Sequence, residues 1–154
     1  MFPNHRTYYS PSLVEFNGTL YCFHRGATDS DHALYYCTFD TGRINGNGDV
    51  KINVGGGFFY NYSGCAVAVF GGELHFVFQI FSHDSTNNQF HQLIFNGTAW
   101  RNSLNNPKGS TLDTPALVTY KNKLFLAHRG EKDQDLYYVT GDGLTWSESM
   151  NIGA

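Results

Sequence analysis

Two tripeptides carry the strongest chemical signal in this chain, His24-Arg25-Gly26 and His128-Arg129-Gly130. Carboxylates follow each of them, Asp29 and Asp31 in the first case and Asp133 and Asp135 in the second, and then a Leu-Tyr-Tyr run that ends at Tyr36 or Tyr138. An arginine fork donates in bidentate fashion, a carboxylate accepts, and histidine does either. Aromatic rings stand nearby in the segments ahead of the first two repeats: Tyr8 and Tyr9, then Phe58, Phe59, Tyr60 and Tyr62. A planar aromatic face beside such donors and acceptors suits a sugar ring, whose C–H groups stack while its hydroxyls are hydrogen-bonded. The candidate ligand-binding residues are therefore His24, Arg25, Asp31 and Tyr36, their counterparts His128, Arg129, Asp135 and Tyr138, and the rings of Tyr8, Tyr9 and Tyr60. A plainer reading competes with this one: each arginine pins its own loop through the aspartates that follow it.

The elements that must position these residues come from a repeat. Ser10-Pro11-Ser12-Leu13-Val14 and Thr114-Pro115-Ala116-Leu117-Val118 open two similar stretches, with Pro11 and Pro115 standing 104 positions apart. Midway, Cys65 to Phe70 and Leu74 to Phe78 supply a diverged third copy, in which Phe78-Gln79-Ile80 replaces His-Arg-Gly. A period of roughly 50 residues signals arrays or propellers. The chain reads as a single repeat domain, 1–154, with repeats at about 1–54, 55–104 and 105–154.

Each repeat predicts four strands. A first apolar run (Leu13 to Phe16, Ala66 to Phe70, Leu117 to Tyr120) meets a two-residue turn, Asn17-Gly18, Gly71-Gly72 or Lys121-Asn122, and then a second run. Asn-Gly and Gly-Gly accept the positive φ angles of a type I′ hairpin. A third run follows at Leu34 to Phe39, Phe90 to Phe95 and Leu136 to Thr140, and a fourth near Val50 to Val54, Trp100 to Leu104 and Trp146 to Ile152. In such a meander the second-to-third loops and the connections between repeats share one end, where binding usually lives. Both His-Arg-Gly motifs fall at that end. The successive tyrosines of each Tyr-Tyr pair leave on opposite faces, so at most one of each pair can reach a ligand.

Runs such as Ala66-Val67-Ala68-Val69-Phe70 are apolar on both faces, so both faces must be covered. Blades stacked face to face in a β-propeller meet that need. Three blades do not close a ring, since propellers use about four to eight. A second identical chain would complete six blades about a twofold axis, making the protein a homodimer; a longer parent chain would do the same. The expected fold class is all-β, three four-stranded propeller blades, with the β-trefoil as the alternative.

Composition narrows the function. The 154 residues include 17 Gly, 13 Phe and 10 Tyr, only 15% are charged, and the net charge is −3. No basic run marks a nucleic-acid partner, no apolar stretch is long enough to span a membrane, and the N-terminus has no apolar signal-peptide core. A soluble protein is expected, with its compartment open. Cys22, Cys37 and Cys65 are odd in number and lack zinc or redox spacing, so reduced core thiols are expected, with a Cys22–Cys37 bridge conceivable. Asn17, Asn61 and Asn96 begin glycosylation-type triplets, though Asn17 and Asn96 also begin Asn-Gly turns. Neither metal nor other cofactor is called for.

The repeat resembles the blades of sialidase-like propellers and of fungal and bacterial propeller lectins. The likeness rests on Pro-x-Leu-Val, Asn-Gly, Leu-Tyr, His-Arg-Gly and Leu-Tyr-Tyr. Thr140-Gly141-Asp142-Gly143-Leu144-Thr145-Trp146 is similar to the structural Asp-box of sialidases, one residue short; Thr38-Phe39-Asp40-Thr41-Gly42 matches its first half, and Asn96 replaces the Asp in the middle repeat. The resemblance implies a propeller, with Trp100 and Trp146 sealing seams between blades. It also raises glycosidase chemistry, which in sialidases uses an arginine cluster, a Tyr–Glu nucleophile pair and an Asp acid/base. Against that stand only four Glu, of which Glu131 alone lies near the loop end. The leading expectation is thus a non-catalytic, multivalent lectin with glycans as partners. A protein-interaction or targeting module, as in a toxin or larger propeller, and a sialidase-like glycosidase are the alternatives.

Overall fold

The structure, a computed structural model, describes residues 6–28, 30–40, 43–44, 48–55, 57–58, 61–80, 89–111 and 113–153. Three antiparallel sheets follow one another along the chain. The first contains β1 (Ser12–Phe16), β2 (Thr19–Arg25), β3 (Leu34–Asp40), and two short pieces, β4 (Arg43–Ile44) and β5 (Val50–Lys51), which share the fourth position by pairing with different parts of β3. A two-stranded ribbon, β6 (Asn53–Val54) and β7 (Gly57–Phe58), leads on. The second sheet holds β8 (Asn61–Phe70), β9 (Glu73–Ile80), β10 (Phe90–Phe95) and β11 (Trp100–Asn102), and the third holds β12 (Ala116–Tyr120), β13 (Lys123–Arg129), β14 (Leu136–Gly141) and β15 (Met150–Asn151).

Each sheet is built from the strands of one repeat, paired in sequence order. That excludes the trefoil among the described residues, because a trefoil would merge strands of different repeats into one barrel. Two expectations shift. The fourth position of the first blade is taken by β5 rather than a continuous Val50–Val54 strand, and β8 runs back to Asn61 through an irregularity between Asn61 and Cys65.

The hairpins form for the reason the turns suggested. Asn17 and Gly18, Gly71 and Gly72, and Lys121 and Asn122 all have positive φ, as a type I′ turn requires. The third-to-fourth turns are held by side chains. Asp142 accepts from the backbone N–H of Leu144 and Thr145 at 2.9 and 2.7 Å, and Asn96 accepts from Thr98 and Ala99 at 2.9 Å each. Asn96 thus performs in the second blade the role Asp142 performs in the third.

The blades stack face to face. Phe23 and Phe16 of blade one pack on Phe76, Phe78 and Phe95 of blade two, and Trp100 stacks on Phe95 at 4.8 Å in the same seam. Val77 and Phe90 of blade two pack on Leu126 and Val139 of blade three, with Trp146 sealing that seam and donating to Gln92 Oε1 at 2.9 Å. Each fully buried aromatic here contributes about 1.5–3 kcal/mol. Both tryptophans are seam residues, as expected. Cys22 and Cys37 are direct cross-strand partners, and all three thiols are free. Asn61 is buried, unlike Asn17 and Asn96. Among the described residues no helix is long and apolar enough to cross a membrane.

Candidate functional site at the loop end of the blades

Adjacent residues of a strand leave on opposite faces, and this divides the candidates. His24 is the cross-strand partner of Tyr35 and stacks on it at 5.8 Å; His128 is the partner of Tyr137 and stacks at 5.7 Å. Their neighbours Arg25 and Arg129 project from the other face. The tyrosines that accompany the histidines are therefore Tyr35 and Tyr137, not Tyr36 and Tyr138. Tyr36 lies in the core between blades one and two beside Phe23 and Tyr21, and Tyr138 stacks on Phe125, 6.5 Å away, on the opposite side of its sheet from His128.

The same local device recurs in blades one and three. An aspartate four residues ahead of the tyrosine accepts its hydroxyl: Tyr35 to Asp31 at 3.2 Å, Tyr137 to Asp133 at 2.7 Å. The aspartate also caps its own loop, accepting from Ala33 N–H in one case and Asp135 N–H in the other. The glycine of His-Arg-Gly leaves room for it, since a Cβ on Gly26 would collide with Asp31 and one on Gly130 with Asp133 and Tyr137. Asp133, not Asp135, is therefore the counterpart of Asp31. Asp135 instead accepts from Asn151 Nδ2 at 2.8 Å. Among the described contacts Arg25 reaches its own loop through His32, whereas Arg129 pairs with Asp113, outside its loop.

Arg25 is buried, its Nη2 donating to His32 Nδ1 and its guanidinium lying 5.4 Å from the rings of both Tyr8 and Tyr9. It has no carboxylate partner among the described residues. Arg129 is half-exposed and pairs with Asp113 at 2.7 Å. The remaining expected ring, Tyr60, lies outside the described residues. So do Asp29, Phe59, the side chains of Phe58 and Tyr62, and the 82–88 loop.

One cleft of about 300 Å³ opens at the loop end of blade three, lined by Ser110, His128, Glu131, Asp133, Tyr137 and Ser149 among others. Its size sits at the small end of the range for ligand pockets. His128 forms its floor, held edge-on by Phe90 of blade two at 5.0 Å and by the backbone of Gly109. Its Nδ1 faces the carbonyl of Arg129 at 3.4 Å, and its Nε2 faces Ser149 Oγ at 3.5 Å. Burial holds this imidazole below its ordinary pKa, so it is neutral at pH 7. The hydrogen bond from Tyr137 holds Asp133 below the usual carboxylate range, and the same bond raises Tyr137. The cleft thus offers a stacked ring pair, a neutral imidazole, carboxylates and hydroxyls. Among the described residues no cluster of His, Cys, Asp and Glu could hold a metal.

In blade one His24 Nε2 meets Asp49 Oδ1 at 3.0 Å and Nδ1 meets the Arg25 carbonyl at 3.1 Å, so both nitrogens face acceptors. Asp49, Asp113, Tyr35 and Tyr137 were absent from the sequence expectation. It is the β2–β3 register, set across the loop from Gly26 to Ala33, that pairs His24 with Tyr35.

No protein-family model matches the chain, and no curated protein does. Solved structures do. The chain is similar to a fucose lectin from Kordia zhangzhouensis in complex with methyl-fucoside (TM-score 0.57, 14% identity, covering 90% of this chain and 96% of that one). It is similar also to a GH43_1 enzyme from Xanthomonas citri complexed with xylose (TM-score 0.56, 10% identity, 91% and 54%). A third is CoXyl43, a GH43 β-xylosidase/α-arabinofuranosidase from a compost microbial metagenome (TM-score 0.55, 12% identity, 92% and 56%). The chain spans nearly the whole lectin chain but about half the length of the two enzymes. At such identities the likeness is one of fold, and it identifies the three stacked sheets as blades of the propeller type.

Proposed function

We propose that this chain is a non-catalytic lectin that acts as a homodimer, two three-blade arcs closing one six-bladed ring, and binds single sugar rings at blade seams on the loop end. The cleft over His128, Tyr137 and Asp133 carries the reading. It lies at the loop end of blade three, beside the connection through Gly109 and Ser110, and its groups match a sugar's needs in type. The likeness to a fucose lectin of nearly the same chain length supports it. Weak single sites repeated on one face gain avidity.

A glycan array at high protein density tests the proposal, followed by Asp133→Asn and Tyr137→Phe. Loss of the Tyr137 hydroxyl removes the bond that orients Asp133. Binding should weaken by roughly 5- to 10-fold, about 1–1.5 kcal/mol, with folding retained. An array without signal above background would remove the lectin. The half-length match to glycoside hydrolases supports a second reading, a portion of a catalytic propeller, and turnover of a fluorogenic glycoside would establish it.

A further inference from the structure

Two buried donors where blade one meets blade two have no acceptor. Arg25 leaves β2 on the same face as Phe23, which packs on blade two, and is 3% exposed. Asn61 opens β8 of blade two and is 0% exposed. The Nε of Arg25 and the Nδ2 of Asn61 are both shut from solvent and find no hydrogen-bond partner among the described residues. One loop residue joins the two side chains: His32 accepts from Arg25 Nη2 at its Nδ1 and, through its carbonyl, from the backbone N–H of Asn61 at 2.8 Å. Turning the Asn61 amide over would not help, because its Oδ1 accepts from Ser63 N–H at 3.1 Å and that bond assigns the nitrogen to the unmet side.

The charge is unmet as well as the bonds. An imidazole that accepts at Nδ1 carries no negative charge, so His32 answers a hydrogen bond of Arg25 but not its cation. The rings of Tyr8 and Tyr9, each 5.4 Å from the guanidinium, add only the attraction of a π-face. Asp31, the described carboxylate of the Arg25 loop, is committed to Ala33 N–H and to the Tyr35 hydroxyl, and Tyr35 stands with His24 on the opposite face of the sheet. A buried cation without a counter-ion is strongly unfavourable, and a buried donor without an acceptor adds to the penalty. Water would accept from both donors and leave the charge as it was.

We infer that this seam binds a small inorganic anion of the halide class, chloride in ordinary buffers, held by Arg25 Nε–H and Asn61 Nδ2–H. Donors alone satisfy such an ion, and its charge balances the guanidinium. Because both nitrogens are closed to solvent, a monatomic ion suits the place better than a carboxylate carried on a larger molecule. The ion would tie the end of β2 to the first residue of β8, where the chain enters blade two. Its role is structural, and the inference stands apart from the lectin reading and from the dimer.

The dependence of stability on chloride tests it. The urea midpoint is followed at pH 7.5 and fixed ionic strength while chloride replaces gluconate, an anion too large for the closed seam. An ion bound only by the folded chain multiplies the folding constant by one plus the ratio of its concentration to Kd, so a Kd of about 1 mM gives a rise of about 100-fold in about 100 mM chloride. Asn61→Asp keeps the oxygen that Ser63 uses and supplies a built-in anion, so its midpoint should no longer respond to chloride. Arg25→Leu should lose the response too. Crystals of the native protein grown in bromide should show an anomalous scattering peak within hydrogen-bond reach of both nitrogens, and this map decides the matter where either variant fails to fold. A native midpoint indifferent to chloride, an Asn61→Asp chain that responds as the native one does, or a bromide map with no peak at Arg25 overturns the site.

Discussion

Gly26 and Gly130 show how much one hydrogen atom decides. Each stands where the carboxyl group of Asp31 or Asp133 folds back to take the tyrosine hydroxyl, and a methyl group at Gly130 would also lie 2.8 Å from Tyr137. Gly130→Ala should cost about 1–3 kcal/mol of stability through overpacking, measured by urea unfolding, and should weaken sugar binding as Asp133 swings out. His75, His91 and His128 carry a pH dependence, since burial lowers all three. Their folded forms resist protonation while the unfolded chain accepts protons below about pH 6.5. Stability is therefore unaffected by these groups well above that value and falls as the pH drops through it. The urea midpoint should be lower at pH 5.5 than at pH 7.5, and His128→Gln should reduce the difference. At this scale the sequence revealed the motifs and the end of the blade they occupy. Which tyrosine of each pair stands beside the histidine is a matter of parity, and the register sets Tyr35 and Tyr137 there rather than Tyr36 and Tyr138. The correspondence of Asp31 with Asp133 was hidden because the first blade's loop is two residues longer between Gly and Leu than the third blade's.

At the level of elements, turns were the readable part. Asn-Gly and Gly-Gly announced two hairpins, and Lys121-Asn122 forms the third with φ of 46° and 59°, angles that cost L-residues about 1–2 kcal/mol each. Replacing Lys121-Asn122 by Asn-Gly should therefore add about 1 kcal/mol of stability, read as a higher urea midpoint, without altering binding at the far end of the blade. The extension of β8 back to Asn61 was not readable. Asn61-Tyr62-Ser63-Gly64 is polar or small in type, yet Asn61 and Ser63 are buried and Gly64 packs against Thr114, so tertiary contact overrode local preference. Replacement of Asp142 by Asn96 also hid a shared turn, because both side chains present the same acceptor oxygen.

For the molecule as a whole, the apolar runs foretold stacked sheets with raw ends, and the exposed Leu20, Val118, Tyr120 and Leu136 mark where those ends lie. The identity of what covers them was beyond composition, since an apolar face names no partner. The repeat itself is more informative, because the bare Leu136 has covered twins in Leu34 and Phe90. If two chains close the ring, Leu136→Glu should leave the affinity of the His128 cleft for a soluble monosaccharide unchanged, while agglutination of glycan-coated beads falls by about 100-fold or more with the lost multivalency.

The placement of His and Arg on opposite faces of one strand has a consequence for descent. Neighbouring residues of that strand serve two different faces of the blade, so a shift of the strand is felt on both at once. Tandem copying of one blade-encoding segment would, by the same token, create a fresh junction from old parts, with no new residue required.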